Sequence, residues 1–92
     1  MAEGDTGTIS KEKVKTKTPK KYKVVLLNDD YTTMDFVVKV LETVFNMKPA
    51  EAVQVMLQVH NKGRGMCGIF TRQIAEAKIA QVHDLAVANG YP

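Results

Sequence analysis

The stretch Lys21-Tyr22-Lys23-Val24-Val25-Leu26-Leu27-Asn28-Asp29-Asp30-Tyr31-Thr32 decides how the chain folds. Tyr22, Val24 and Leu26 alternate with Lys23, Val25 and Leu27, a period-two run rich in β-formers that predicts a strand. An amide and two carboxylates follow at once, so the strand opens into a loop rich in hydrogen-bond acceptors. Asn, Asp and Thr favour such loops because their side chains bond nearby backbone groups. Thr33 then suits a helix N-cap, with Asp35 placed against the positive end of the helix behind it. The loop therefore sets acceptors beside an apolar helix face. That pairing suits a ligand with a cationic end and an apolar end, such as the first residue of a peptide.

Outward from this stretch, the first helix is expected over Met34 to Asn46. Met34, Val37, Val38, Leu41, Val44 and Phe45 recur at spacings of three and four, as one buried face requires. Met47-Lys48-Pro49 interrupts it, and Pro49 suits the first turn of a second helix that stops at Gly63. Its apolar residues are Ala52, Val53, Met56, Leu57 and Val59, followed by His60. Gly63, Gly65 and Gly68 punctuate a loop before a second strand, Ile69-Phe70-Thr71. A third helix runs from Ile74 to Ala88, with Ile74, Ala77, Ile79, Val82, Leu85 and Ala86 spaced for burial. The order strand, helix, helix, strand, helix predicts a small α+β sandwich, three helices packed on a small antiparallel sheet. Two strands make a weak sheet, so a third, closing strand is expected but not identified.

Composition restricts the classes of function. Ninety-two residues fit one small domain, and 45% apolar with 25% charged residues is ordinary for a soluble globular chain. No apolar run reaches the roughly 18 residues of a membrane span, and no secretory signal is evident at the N-terminus. Cys67 is the single cysteine, which excludes an internal disulfide and fits a reducing, cytoplasmic setting. One cysteine and two distant histidines, His60 and His83, do not make a metal motif, and no cofactor is expected. The net charge of +3 is uneven: Lys11, Lys13, Lys15, Lys17, Lys20, Lys21 and Lys23 face only Glu3, Asp5 and Glu12 in the first 23 residues. Residues 1–20 read as a disordered, lysine-rich extension and residues 21–92 as the folded core. A basic arm without arginine and with only Tyr22 to stack on a base is a poor nucleic-acid binder.

A protonated amine has three N–H donors and accepts nothing, so its site must supply acceptors. Asn28 offers a carbonyl oxygen, Asp29 and Asp30 carboxylates, and neutral His60 a ring nitrogen. His60 lies four residues after Met56 and seven after Val53, on one helix face. If the first two helices pack side by side, Met34, Val37, Met56 and Val59 wall an apolar cavity whose mouth holds those acceptors. Methionine suits such a wall because it is flexible and polarizable. A Cys67–His60 nucleophile and base pair would make an enzyme instead. It lacks a third, orienting group and places the thiol in an apolar strand, so no catalytic residue is expected.

Several motifs resemble the ClpS adaptor family. They are Tyr22 to Thr32 with Met34 and Phe36-Val37, then Met56-Leu57-Gln58-Val59-His60, then Gly65-Met66-Cys67-Gly68-Ile69-Phe70-Thr71, and Ala75-Glu76 with Lys78. The resemblance covers roughly residues 21 to 84 with its motifs in order. It implies a bacterial, cytoplasmic, monomeric adaptor, not an enzyme. Such an adaptor recognises N-terminal Phe, Tyr, Trp or Leu and delivers those proteins to the AAA+ unfoldase ClpA and the peptidase ClpP. It further implies that Asn28, Asp29, Asp30 and His60 hold the substrate's α-amino group and first peptide bond. Thr32, Met34, Val37, Met56 and Val59 match the side-chain pocket, Met34 as a gate against β-branched residues. Glu76 and Lys78 match the segment that meets the unfoldase, and the lysine-rich extension matches one used in handover. The chain departs from the family at Thr33, where proline is usual, and at Gln73, where an acidic residue is common. Family members also continue past the position of Pro92 into a closing strand with a pocket-lining leucine. A ribosome-stalk-like interaction domain or a nucleic-acid module with a basic tail is the competing class.

Overall fold

The computed structural model describes residues 19–91. The lysine-rich extension expected over residues 1–20 falls almost wholly outside that range. The elements are β1 (Lys21–Leu27), α1 (Met34–Thr43), α2 (Pro49–Lys62), β2 (Arg64–Thr71) and α3 (Arg72–Ala88), in the order the residue pattern predicts. β1 and β2 pair antiparallel, Lys21 opposite Thr71 and Leu27 opposite Arg64, with an irregularity between Val24 and Val25 where β2 carries one extra residue. Among the described residues the sheet has these two strands alone, and the closing strand is not among them. A bare two-stranded ribbon is marginal in water, so the helices packed on one of its faces supply its stability.

That packed face follows from the alternation along the strands. Val24 of β1 and Gly65 and Cys67 of β2 are buried, while Lys21, Lys23, Arg64 and Met66 are exposed. The core formed on the buried face joins Val24 and Cys67 to Leu41 of α1, Ala52 and Val55 of α2 and Ala75 of α3. Leu41 is wholly buried, a contribution of about 1.5–3 kcal/mol. A second cluster, Phe36, Val40 and Val44, packs α1 against Val82, Leu85 and Ala86 of α3.

Four boundaries or faces differ from the sequence reading. α1 ends at Thr43 rather than Asn46, because Asn46 adopts a left-handed conformation (φ 56°) and the Met47 N–H closes on the Leu41 carbonyl at 3.1 Å. Asparagine is among the few residues that tolerate that conformation. β2 begins at Arg64, so Gly65 and Gly68 lie within a strand and not in a loop. α3 starts at Arg72 with Thr71 at its N-cap, leaving no connecting loop. On α2 and α3 the buried positions are Ala52, Val55, Val59 and Ala75, whereas Val53, Leu57, Ile74 and Ile79 are more than 40% exposed. Apolar residues surround α3 on most sides, so their spacing selects no single face. The small Ala75 marks the true contact.

Gly65 shows why β2 needs glycine here. A Cβ at this position would meet Val59 Cγ2 at 2.8 Å and the Val55 carbonyl oxygen at 3.0 Å, so α2 rests directly on the strand backbone. Gly65→Ala is therefore expected to lower stability by about 1–3 kcal/mol through overpacking, read as a lower denaturant midpoint with an unchanged slope.

Candidate functional site

The loop after β1 is organised by one carboxylate. Asp29 Oδ1 accepts from the Tyr31 N–H at 2.7 Å, the Thr32 N–H at 2.8 Å and the Thr32 hydroxyl at 3.1 Å. These bonds favour the charged form, and the Thr32 and Tyr31 amides hold the Asp29 carboxyl below the ordinary aspartate value of 3.8. The turn delivers the chain to Thr33, whose Oγ1 accepts the Phe36 N–H at 3.1 Å and so caps α1. α1 then starts at Met34.

The other half of the site comes from α2. Pro49 opens this helix and Gly63 closes it in a left-handed conformation (φ 84°), its N–H donating to the Val59 carbonyl. The Asn28 N–H donates to the Gly63 carbonyl at 3.0 Å, tying the loop to the end of α2. Met56, Val59 and His60 share one face of α2 at spacings of three and four, and Met34 and Val37 share one face of α1.

These two halves enclose a cavity of about 260 Å³ lined by Asn28, Asp29, Asp30, Thr32, Met34, Val37, Met56, Val59 and His60. All nine residues singled out from the sequence for an amine end and an apolar end thus meet at one place. Its polar lining carries two carboxylates and no lysine or arginine, so the site favours a cation. The volume falls just under the roughly 300–1,000 Å³ of clefts for drug-sized ligands, a scale suited to one amino-acid residue. Met34 is 44% exposed and stands at the rim, while Val59 is buried.

Glu76 and Lys78 do not line this cavity. Glu76 is exposed on α3 and pairs with Arg72 at 3.1 Å, an exposed helix pair of small energetic weight. The half-buried Lys78 donates from Nζ to the Val44 carbonyl at 2.7 Å and lies 5.8 Å above the Phe70 ring. It thereby places a cation at the C-terminal end of α1, which has no basic residue in its own last turn. Cys67 is buried, and burial pushes its thiol up to about 11, the state of an inert thiol and not of a nucleophile. No group of three potential metal ligands occurs among the described residues, and none of their helices is long and apolar enough to cross a membrane.

Gly63 shapes the site without having been singled out from the sequence as a site residue. Gly63 appeared only as a helix stop. Its carbonyl bond to Asn28 spans thirty-five positions, a long-range contact that local patterns do not encode.

Asp29 gives the loop a defined acid limit. Because its carboxyl is held low, its bonds are intact above pH 3.8 and are lost as pH falls through the lowered value. The Tyr31 and Thr32 amide resonances are expected to stay constant from pH 8 to pH 5 and to move together only below pH 3.8. Asp29→Asn, which keeps an acceptor oxygen, should leave them near their places, and Asp29→Ala should not.

Comparison with known proteins gives the chain a family. Residues 17–92 match the family model described as the ATP-dependent Clp protease adaptor protein ClpS. The adapter protein ClpS of Rhodospirillum centenum is 53% identical over 87 residues, 95% of this chain and 81% of that protein. The ClpS of Wolinella succinogenes is 51% identical over 88 residues, 96% of this chain and 86% of that protein. Among solved structures, Agrobacterium tumefaciens ClpS2 bound to L-phenylalaninamide superposes with a TM-score of 0.77 at 43% identity, over 82% of this chain and 90% of that one. The chain belongs to the ClpS family of Clp protease adaptors, proteins that serve a protease without being enzymes themselves.

Proposed function

We propose that this adaptor binds the N-terminal residue of substrate proteins that begin with Phe, Tyr, Trp or Leu and delivers them to ClpA for degradation by ClpP. The observation that carries the reading is the single cavity that joins four acceptor-bearing residues to an apolar wall. Asn28, Asp29, Asp30 and His60 receive the α-ammonium group and the first peptide bond. Asp29 Oδ1 is already engaged by three donors, so its second oxygen is the one left to accept from the ligand. Thr32, Met34, Val37, Met56 and Val59 hold the side chain, with Met34 gating its shape. The ligand bound by the Agrobacterium relative has the same two parts, a free amine and a benzyl side chain, and its carboxamide stands for a first peptide bond.

Burying one large side chain in such a cavity contributes about 1.5–3 kcal/mol. Each charge-assisted hydrogen bond to the amine adds about 1.5–3 kcal/mol before ordering costs are subtracted. The amine and the side chain therefore have comparable weight, and neither alone suffices. The two carboxylates repel phosphate, which disfavours a nucleic-acid module at this site. Glu76 and Lys78 contact the unfoldase from α3, leaving the cavity free to hold substrate at the same time. The adaptor acts as a cytoplasmic monomer.

A labelled peptide beginning with Phe or Leu is expected to bind in fluorescence anisotropy, and N-acetylation to weaken it about tenfold to a hundredfold, the loss of one or more charge-assisted bonds. Equal affinity for the free and acetylated peptides would end this reading. Met34→Ala is expected to raise the affinity of peptides beginning with Ile or Val relative to Phe. An unchanged ratio would remove Met34 from the gating role.

A further inference from the structure

The end of α3 folds back onto the start of α1. Asn89 caps α3 and Gly90 takes a left-handed conformation (φ 83°). The Gly90 N–H donates to the Val87 carbonyl at 3.0 Å and the Tyr91 N–H to the Ala86 carbonyl at 2.9 Å. This pair of bonds is the glycine cap that turns the following residue back across its helix. Tyr91 consequently lands on α1. Its ring centroid lies 4.6 Å from that of Phe36, and its Oη lies 3.4 Å from Thr33 Oγ1, with either hydroxyl able to donate. Thr33 Oγ1 is also the atom that accepts the Phe36 N–H and caps the helix.

Tyr91 therefore grips both residues that define the N-terminus of α1, one on each side of Met34 and Asp35. Met34 and Val37 are the contributions of α1 to the site cavity. We propose that Tyr91 is a positioning residue for that cavity: held by the Gly90 cap, it fixes the first turn of α1 and with it the Met34 wall. The claim rests on the proposed peptide-binding reading only for its effect on affinity. Its effect on Met34 stands apart from any ligand.

The test uses the full chain with 13C-labelled methionine methyl groups, alongside binding of a peptide beginning with Phe. Met66 serves as an internal reference, because it is exposed on β2 opposite Val25 and does not line the cavity. Tyr91→Ala is expected to move the Met34 methyl resonance, leave Met66 in place and weaken the peptide about fivefold, the scale of modest site-to-site coupling. Tyr91→Phe keeps the ring on Phe36 and should leave Met34 and the affinity close to those of the parent chain. A folded Tyr91→Ala protein with the parent Met34 resonance overturns the proposal. Should that variant not fold, Gly90→Ala decides. Its added methyl meets no atom within 4 Å, so it strains only the left-handed cap. It should move Met34 in the same direction, and an unmoved Met34 overturns the proposal. A parent chain that binds no peptide would refute the proposed function, while the methyl shifts still decide the role of Tyr91.

Discussion

The hydrogen bond from the Asn28 amide to the Gly63 carbonyl holds the two halves of the site together. On one side of it the chain leaves β1 and turns around Asp29 into α1. On the other, α2 ends in the left-handed cap of Gly63 and enters β2 at Arg64. The bond thus joins the last residue pair of the sheet, Leu27 with Arg64, to both helices that wall the cavity. Loop closure between positions this distant is entropically costly, and a single backbone bond does not offset it alone. The burial of Val24, Leu41, Ala52, Val55 and Cys67 supplies the difference. The site is then a by-product of the core: the same packing that closes the sheet under α1 and α2 brings Asn28 and His60 to one cavity.

Within that arrangement the acceptors divide their work. Asp29 spends one oxygen on the loop itself, receiving two amides and a hydroxyl, and its shape role and its charge cannot be separated by truncation alone. Asp30 accepts no hydrogen bond from the described residues. The apolar wall divides in a similar way. Val59 is buried against Gly65 and is part of the core, whereas Met34 stands half-exposed at the rim and is free to adapt. A rigid floor with a flexible edge suits side chains that differ in outline but share bulk.

Much of this was legible in the residues because its signals are local. The alternation through Tyr22 and Leu27, the Thr33 cap, Pro49 at the start of α2 and the stop at Gly63 each depend on a few neighbours. Eight of the cavity residues could be named because Asn28 to Asp30 belong to one loop, Met34 and Val37 share a face of α1, and Met56, Val59 and His60 share a face of α2; Thr32 came from the family resemblance alone. What could not be read depends on contacts distant in the chain. Gly65 looks like punctuation until Val55 and Val59 are seen pressing on it. α3 carries apolar residues on most sides, so spacing could not find Ala75. Lys78 offered a charge to a partner on resemblance alone, and its bond to the Val44 carbonyl is a tertiary fact.

The absence of a loop between β2 and α3 has a consequence for which sequence changes the fold tolerates. Thr71 is both the last residue of the strand and the N-cap of the helix. One inserted residue there would turn α3 by about 100° about its axis. Ala75 would swing off the core, Lys78 off the end of α1 and Val82 away from Phe36. The junction can therefore exchange side chains yet cannot change length, and insertions that arise in related chains should collect in the Asn46–Lys48 connection instead.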